Sequence, residues 1–282
     1  FATDPAGILA LAAAARTAAA GHLDVRVGVA PHSLRAVDAD GLAELVAATR
    51  AADPGAPIHI HAAEQTKEVD DCIAATGLRP VEWLLERMPV DERWCLVHAT
   101  HLTAAEVSDL AASGAVVGLC PTTEGNLGDG IFPLSAYRAA GGRWGIGGDS
   151  HVSRDPAEEL RLLEYVQRLV MRRRILATGA RSQAVGTTLW LEAAAEGGRA
   201  LGRVMGAIAA GQRADLVVLD GAHPDLVCRT SDAIANALVF SGGSRMVRDV
   251  MVGGAWAVRN GHHPLEESAA RDYAAALAAL LA

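Results

Sequence analysis

The sequence predicts an α/β fold, a (β/α)₈ barrel of the TIM type that lacks its first strands, followed by a small β-sandwich. Between residues 25 and 195, short β-prone runs alternate with longer helical segments, which is the pattern of parallel βαβ units. The predicted strands, such as Ala115 to Leu119, are apolar along their length, as in a sheet that helices cover. After Gly197, short strands with glycine-rich turns replace this alternation, which indicates antiparallel pairing.

The barrel part begins with a helix and continues as five β/α units. The first helix has Thr3 or Asp4 as its N-cap and Pro5 in its first turn, and we expect its apolar stretch, Ile8 to Ala15, to lie in the core. Strands are predicted at 25–30, 57–61, 94–98, 115–119 and 143–147. The later helices are predicted at 40–51, 67–75, 80–87, 103–112, 134–140, 156–176 and 182–195. Because a complete barrel has eight strands in about 250 residues, we expect three strands to be missing from the front.

The C-terminal third has a different pattern. Strands are predicted at 214–219, 238–240, 247–252 and 256–258, and an alanine-rich helix closes the chain. We therefore expect three parts: a barrel part at 1–197, a small β-sandwich at 198–265 and a C-terminal helix at 266–282.

Composition and charge limit the function classes. The formal net charge of −8 and the pI near 5.7 argue against nucleic acid or an anionic membrane as a partner. The single lysine, Lys67, has no glycine-rich loop before it, which excludes nucleotide hydrolysis of the P-loop type. The four cysteines form no C-x-x-C pair, and the apolar stretch near the start is too short to span a bilayer, so we expect a cytoplasmic protein.

Polar side chains occur where four of the predicted strands end. His32 follows the first strand, His61 and His98 end the second and third, and Asp149 follows the last. Because the carboxyl ends of parallel barrel strands share one face, we expect these residues to meet at one mouth. Imidazole and carboxylate groups are the ligands of catalytic Zn²⁺, with one position left for water. A single strand-end histidine is more often a structural residue, but four such residues in register predict a metal-dependent catalytic site.

Five segments of the chain resemble the amidohydrolase superfamily, in its deaminase branch, and most closely the formimidoylglutamate deiminases. The segments are Ala30-Pro31-His32-Ser33-Leu34-Arg35, His59-Ile60-His61-Ala62-Ala63-Glu64-Gln65, Leu96-Val97-His98-Ala99-Thr100-His101, Pro121-Thr122-Thr123-Glu124-Gly125-Asn126-Leu127-Gly128-Asp129-Gly130 and Gly147-Gly148-Asp149-Ser150-His151-Val152-Ser153. The resemblance extends from about residue 1 to the C-terminus. Together the five motifs are specific, whereas the H-x-x-E of His61 to Glu64 alone would not be.

The resemblance implies a hydrolase that converts N-formimino-L-glutamate to N-formyl-L-glutamate and ammonia, a step of histidine degradation. It implies that His61 and Asp149 bind the metal and that Glu64, His98 and Asp149 are catalytic. Asp149 would take the proton of the attacking water, Glu64 would protonate the departing nitrogen, and His98 would stabilise the tetrahedral intermediate. One Zn²⁺ per subunit is the implied cofactor, and the same ligands accept Fe²⁺ or Mn²⁺.

A small anionic substrate with two carboxylates needs cations at the mouth. Arg35 offers a bidentate guanidinium there, and His32 is expected to support the bound substrate. Glu124, Asn126 and Ser150 are further candidates to line the pocket. We also expect a homodimer, because the helices are apolar and rich in alanine.

One departure from the family pattern leaves alternatives open. The family takes two more zinc ligands from an H-x-H on its first barrel strand, and the H-x-H of this sequence is His59-Ile60-His61, which matches the fifth strand instead. We expect His59 to support the site or the core and not to bind metal. The alternatives are a deaminase of ring substrates such as guanine, cytosine or S-adenosylhomocysteine, and a non-catalytic binding protein or an incomplete fragment.

Overall fold

The computed structural model describes residues 3–22, 24–180 and 182–281. The described chain begins with α1 (Pro5–Ala18) and α2 (Ala39–Ala52), which pack against each other. Asp4 caps α1 with a side-chain hydrogen bond of 2.8 Å, as the sequence predicts for one of its two candidate caps. Within this helix only Ala12 is buried. The expectation of a core position is therefore wrong for most of the stretch from Ile8 to Ala15, because α1 packs on α2 and leaves its other faces to solvent.

A four-stranded parallel sheet forms the centre of the molecule, in the order β1-β2-β3-β4. Its strands are β1 (Ile58–Ala62), β2 (Trp94–His98), β3 (Val116–Leu119) and β4 (Arg143–Ile146). The helices between them are α3 (Thr66–Thr76), α4 (Pro80–Arg87), α5 (Ala104–Ser113), α6 (Pro121–Leu127) and α7 (Leu134–Ala139). All these elements agree with the predicted ones to within one residue, except α6, which is absent from the prediction.

The segment predicted as the first strand, 25–30, runs beside β1 without becoming a strand. Val29 makes an isolated parallel bridge with Ile58, and Ser33, three residues beyond the segment, makes another with His61. Two reasons account for the correction: the described residues provide no strand on its outer side, and Pro31 has no N–H to extend the ladder. The bridges still bring His32 next to the end of β1.

The sheet separates two environments because side chains alternate along each strand. On one face Ile60, Leu96 and Val117 belong to the main core, which also contains residues of the helices around the sheet. On the other face His59, Cys95 and Gly145 meet α9 (Val185–Ala200). A Cβ on Gly145 would lie 3.2 Å from Cα of Gly197, so this glycine allows helix and strand to approach closely.

Before α9, the long helix α8 (Pro156–Met171) packs against the sheet and the C-terminal part. The sequence predicts it to continue to Leu176, but it ends at Met171 because Arg172 adopts a left-handed conformation, with φ of +52°. The predicted helix at 182–195 begins three residues later and ends five residues later than expected.

The C-terminal part contains one three-stranded antiparallel sheet, in the order β5-β6-β7. Its strands are β5 (Leu216–Leu219), β6 (Val247–Val252) and β7 (Ala255–Val258). The strand predicted at 238–240 is wrong: α10 (Asp232–Ala237) continues there as a helical turn, Leu238–Gly242. Consecutive side chains Leu238 and Val239 are both buried, in different clusters, which a helical turn allows and a half-exposed strand does not.

The chain closes with α11 (Glu266–Leu281), a helix without a buried residue. Its predicted last residue, Ala282, lies outside the described residues. The division of the chain at residues 197 and 265 stays a prediction. Among the described residues, the helices are all too short or too polar to cross a membrane.

Candidate metal and catalytic centre

The carboxyl ends of the parallel strands place the predicted site residues side by side. His61 is the second-last residue of β1 and Glu64 lies in the turn after it, β2 ends at His98, and Asp149 follows β4 by three residues. Non-glycine residues adopt positive φ in these turns, at +68° for His98 and +43° for Asp149. Such strained backbone persists only where the surrounding structure holds it, and it is concentrated at functional sites.

His98 lies at the centre of this group and is fully buried. Its Nδ1 is 3.2 Å from Oε1 of Glu124 and, because a carboxylate oxygen accepts, this nitrogen donates. Within the described part of the chain its Nε2 has no hydrogen-bond partner, although Oε1 of Glu64 is 3.7 Å away and Oδ2 of Asp149 is 4.0 Å away. An unpartnered polar atom in a buried place is costly, so this nitrogen marks a position where a ligand or water belongs.

Opposing effects determine the charge of His98. Burial by itself lowers the pKa of this imidazole, but the hydrogen bond and the charge of Glu124, with the charges of Glu64 and Asp149, outweigh it, and the pKa is raised. The three carboxylates thus stabilise a positive charge on a ring that has no contact with solvent.

His61 lies against His98, with ring centroids 5.6 Å apart. Its Nδ1 is 2.8 Å from the backbone carbonyl oxygen of His32 and must donate, since a carbonyl oxygen only accepts. The neutral ring therefore keeps the lone pair of Nε2, which is the form that binds a metal ion. The ring of His32 is 5.0 Å from that of His61. Partial burial, followed by repulsion from His61 and Arg35, lowers the pKa of His32.

His59, two residues earlier on β1, does not contact this group. Its Nε2 donates to the backbone carbonyl of Ala200, at 2.8 Å, at the end of α9. It is half-buried and satisfied there.

Arg35 reaches the same turn and pairs with Glu64, at 2.6 Å between Nη2 and Oε2. Its side chain remains 32% exposed, and its Nε lies 3.3 Å from the hydroxyl of Ser33. Glu68, which the sequence reading missed, accepts hydrogen bonds from the backbone N–H groups of Ala63 and Glu64, at 3.0 and 2.9 Å. No sequence motif identifies Glu68, because its side chain lies in the first turn of α3 and bonds the backbone that follows β1.

Among the described residues, one group of three potential metal ligands lies within 4.8 Å: His98, Cys120 and Glu124. Two observations indicate that this group supports His98 through hydrogen bonds and does not bind a metal ion. Burial raises the pKa of the Cys120 thiol strongly, so the thiolate that a metal needs is disfavoured. In addition, Oε1 of Glu124 already accepts from His98 and from the Cys120 backbone N–H, at 2.8 Å for the latter.

The other candidates lie around this group. Ser150 bonds the hydroxyl of Thr123 at 2.9 Å, next to Asp149 in the chain. Asn126 is exposed on α6. The structure thus brings together His32, Arg35, His61, Glu64, His98 and Asp149, with Glu124 beneath His98 and Ser150 at the rim.

The chain is similar to known deaminases and amidohydrolases. It is 52% identical over 263 residues, 93% of its length, to the formimidoylglutamate deiminase of Pseudomonas aeruginosa. It is 35% identical over 231 residues to a 5-methylthioadenosine/S-adenosylhomocysteine deaminase of Natronomonas pharaonis, which covers 82% of the chain. It spans 57% and 52% of these two relatives, a little more than half of each.

Solved structures share the fold. An amidohydrolase from Brucella melitensis superposes with a TM-score of 0.91 at 42% identity, covering 99% of this chain and 61% of its own. An adenosine deaminase from Xanthomonas campestris, solved with bound zinc, has a TM-score of 0.80 at 26% identity and covers 93% of this chain and 58% of its own. The barrel-type α/β fold predicted from the sequence is confirmed. Residues 3–257 match the amidohydrolase family, and the chain belongs to that family.

Proposed function

We propose that the protein carrying this sequence hydrolyses N-formimino-L-glutamate to N-formyl-L-glutamate and ammonia. One observation carries the proposal: His61, Glu64, His98 and Asp149 converge at the carboxyl ends of parallel strands, around an unpartnered buried nitrogen. The 52% identity to a formimidoylglutamate deiminase supports this substrate above those of the more distant deaminases.

Two side chains of the site can serve as metal ligands. His61 would offer Nε2, whose lone pair the hydrogen bond from Nδ1 to His32 leaves free, and Asp149 would offer a carboxylate that is 34% exposed. Zinc is the ion we propose, because the Xanthomonas campestris adenosine deaminase was solved with it, and Fe²⁺ and Mn²⁺ suit the same ligands. When bound, such an ion lowers the pKa of water from 15.7 to about 7 and makes hydroxide available at neutral pH.

Two side chains then transfer protons, and a third hydrogen-bonds the oxygen that is added. Asp149 accepts the proton of the attacking water, and His98 Nε2, 4.0 Å from Oδ2 of Asp149, hydrogen-bonds the oxygen that adds to the formimino carbon. Glu64 passes a proton to the departing nitrogen, whose bond to that carbon breaks as ammonia leaves. Glu68 holds the backbone of this turn and so fixes the position of Glu64.

Arg35 and His32 are proposed to bind the carboxylates of the substrate. The guanidinium of Arg35 uses Nη2 for Glu64 and Nε for Ser33, and a guanidinium has five N–H donors, so donors remain for a carboxylate. We further propose a cytoplasmic homodimer with a small anionic substrate and no nucleic-acid partner. The net charge of −8 supports the last point, since it repels phosphate backbones.

Ammonia release from purified, zinc-loaded protein tests the proposal. We expect turnover of N-formimino-L-glutamate, loss of turnover with a chelator, and recovery on adding zinc. Guanine, cytosine and S-adenosylhomocysteine serve as ring substrates, because 35% identity to a S-adenosylhomocysteine deaminase makes a ring deaminase the second candidate. Turnover of a ring substrate without turnover of the acyclic one would refute the proposed specificity, and an inactive protein without bound metal would favour a non-catalytic or incomplete form.

A further inference from the structure

The buried carboxyl of Glu124 contacts His98 at the ring nitrogen opposite to the unpartnered one. Its Oε1 accepts from Nδ1 of His98 at 3.2 Å and from the backbone N–H of Cys120 at 2.8 Å. The side chains of Glu124 and His98 are both more than nine-tenths buried, so water does not compete for these bonds.

Local structure fixes the acceptor before it meets His98. β3 ends at Leu119, α6 begins at Pro121, and Glu124 lies one turn later, where its side chain folds back to the Cys120 N–H. This bond satisfies one of the free N–H groups at the start of the helix and sets the position of Oε1.

His98 depends on this acceptor for its orientation. The torsion that rotates an imidazole is broad, and no described residue forms a hydrogen bond with Nε2 of His98 that would hold the ring. Among the described residues, the ring of His98 makes one hydrogen bond, from Nδ1 to Glu124. This bond also determines which ring nitrogen carries the proton.

We propose that Glu124 is a positioning residue: it holds the imidazole of His98 so that Nε2 faces Glu64 and Asp149. The kinetic part of this inference rests on the proposed function, whereas the orientation of the ring does not. Both donors share one oxygen of Glu124, so a glutamine at this position can place its carbonyl oxygen there and keep both bonds. The proposal requires an acceptor oxygen at position 124 and does not require the negative charge of Glu124.

Three variants of the metal-loaded protein test the kinetic part. Glu124→Ala is expected to lower kcat by about 10–100-fold with KM within about threefold, the usual cost of losing the partner that orients a functional histidine. Glu124→Gln is expected to retain kcat within about threefold. Thr122→Val is the matched control, because it removes a buried 2.6 Å bond to Glu159 from the same helix without touching His98; it is expected to keep kcat. A kcat for Glu124→Ala within about threefold of the parent, or an equal loss in Thr122→Val, would overturn the proposal.

Nitrogen-15 spectra of the metal-free chain, labelled at histidine, give a readout that needs no substrate. His98 is assigned by the signals missing from His98→Asn. The parent and Glu124→Gln are expected to show a protonated Nδ1 for His98, and Glu124→Ala is expected to lose that signal or exchange it rapidly. If these signals are observed but N-formimino-L-glutamate is not turned over, the proposed function is wrong and the positioning role of Glu124 is retained. Unchanged His98 signals in Glu124→Ala would by themselves contradict the inference.

Discussion

A single backbone carbonyl distinguishes the two histidines of β1. The carbonyl of His32 accepts from Nδ1 of His61 and leaves Nε2 of that ring as a lone-pair donor at the mouth. Nε2 of His59 donates to the backbone carbonyl of Ala200 at the end of α9 and therefore offers no lone pair to a metal ion. Both rings project from the same face of the strand, so their chemistry differs through the hydrogen-bond partners that the fold provides.

The two histidines are therefore expected to respond differently to substitution. His61→Asn should weaken zinc binding by on the order of 100-fold, since even the partners of metal ligands contribute 10–100-fold. His59→Asn, its matched control on the same strand, should bind zinc as the parent does. Elemental analysis after dialysis against a fixed free zinc concentration measures both. Loss of zinc from His59→Asn together with retention in His61→Asn would contradict this assignment.

Thiol reactivity reports the burial of the cysteines. Burial raises the pKa of Cys95 to about 12 and raises the pKa of Cys72 and Cys120 as well, whereas Cys228 is exposed. At pH 8 we therefore expect one of the four thiols to react rapidly with an aromatic disulfide reagent in the folded chain. Cys228→Ser should abolish the rapid phase, and all four thiols of the parent should react in denaturant. Two or more rapid thiols in the folded chain would contradict the burial of Cys72, Cys95 and Cys120.

At the scale of elements, local sequence patterns predicted the four strands of the parallel sheet and, except for α6, the helices between them. β2 and α4 match the prediction residue for residue, since apolar runs, Pro80 and the flanking turns mark their limits. The failures lie where tertiary contacts decide. The run at 25–30 makes one isolated bridge at an edge, through Val29. Leu238 to Phe240 continue a helix, in which Leu238 packs in one cluster and Val239 and Phe240 pack in another.

The loop before β2 contributes a pH-dependent term to stability. Asp91 accepts hydrogen bonds from the backbone and side chain of Arg93 and from Arg50. Burial alone raises the pKa of Asp91, but the bonds and charges of Arg93 and then Arg50 outweigh it and lower the pKa. Because the folded pKa is below the unfolded value, the stabilisation is complete above about pH 5 and is lost as the pH falls through the folded pKa.

Asp91→Asn is accordingly expected to reduce the free energy of unfolding by about 1 kcal/mol at pH 7, a value reduced for the partial exposure of the pair. The difference from the parent should shrink as the pH falls through the lowered folded pKa of Asp91, because the carboxyl then becomes protonated in the folded state as well. Urea unfolding at pH 7 and at a series of acidic pH values measures it. Asp71→Asn is the control: its pair with Lys67 is exposed, and the expected change is within about 0.5 kcal/mol. An equal loss at all these pH values would assign the effect to packing and not to charge.

For the whole molecule, the described sheet is open at its edges. A groove of about 450 Å³ lies along the segment 24–30, lined by Val25, Gly28, Pro57 and His59 among others. Unpaired strand edges and uncovered apolar surface favour association with another chain or segment.

Light scattering on the isolated 282-residue chain tests this property. We expect the mean mass to rise with protein concentration, because the open edge offers N–H and C=O groups to a second copy. A charged substitution on the edge segment, Val25→Lys, should reduce the association, whereas Leu280→Lys on the exposed α11 should not. A monodisperse monomer at all concentrations would contradict the expectation.

The sequence by itself determined the parallel sheet and the identities of the residues at its mouth. Apolar strand runs and the polar residues that end them are local patterns, and the shared direction of parallel strands requires those ends to meet. The tertiary structure decided which atoms face each other. Arg35 pairs with Glu64 across 29 positions of the chain, and His98 pairs with Glu124 across 26. No local pattern encodes these pairs, because each depends on how neighbouring strands and helices are packed against one another.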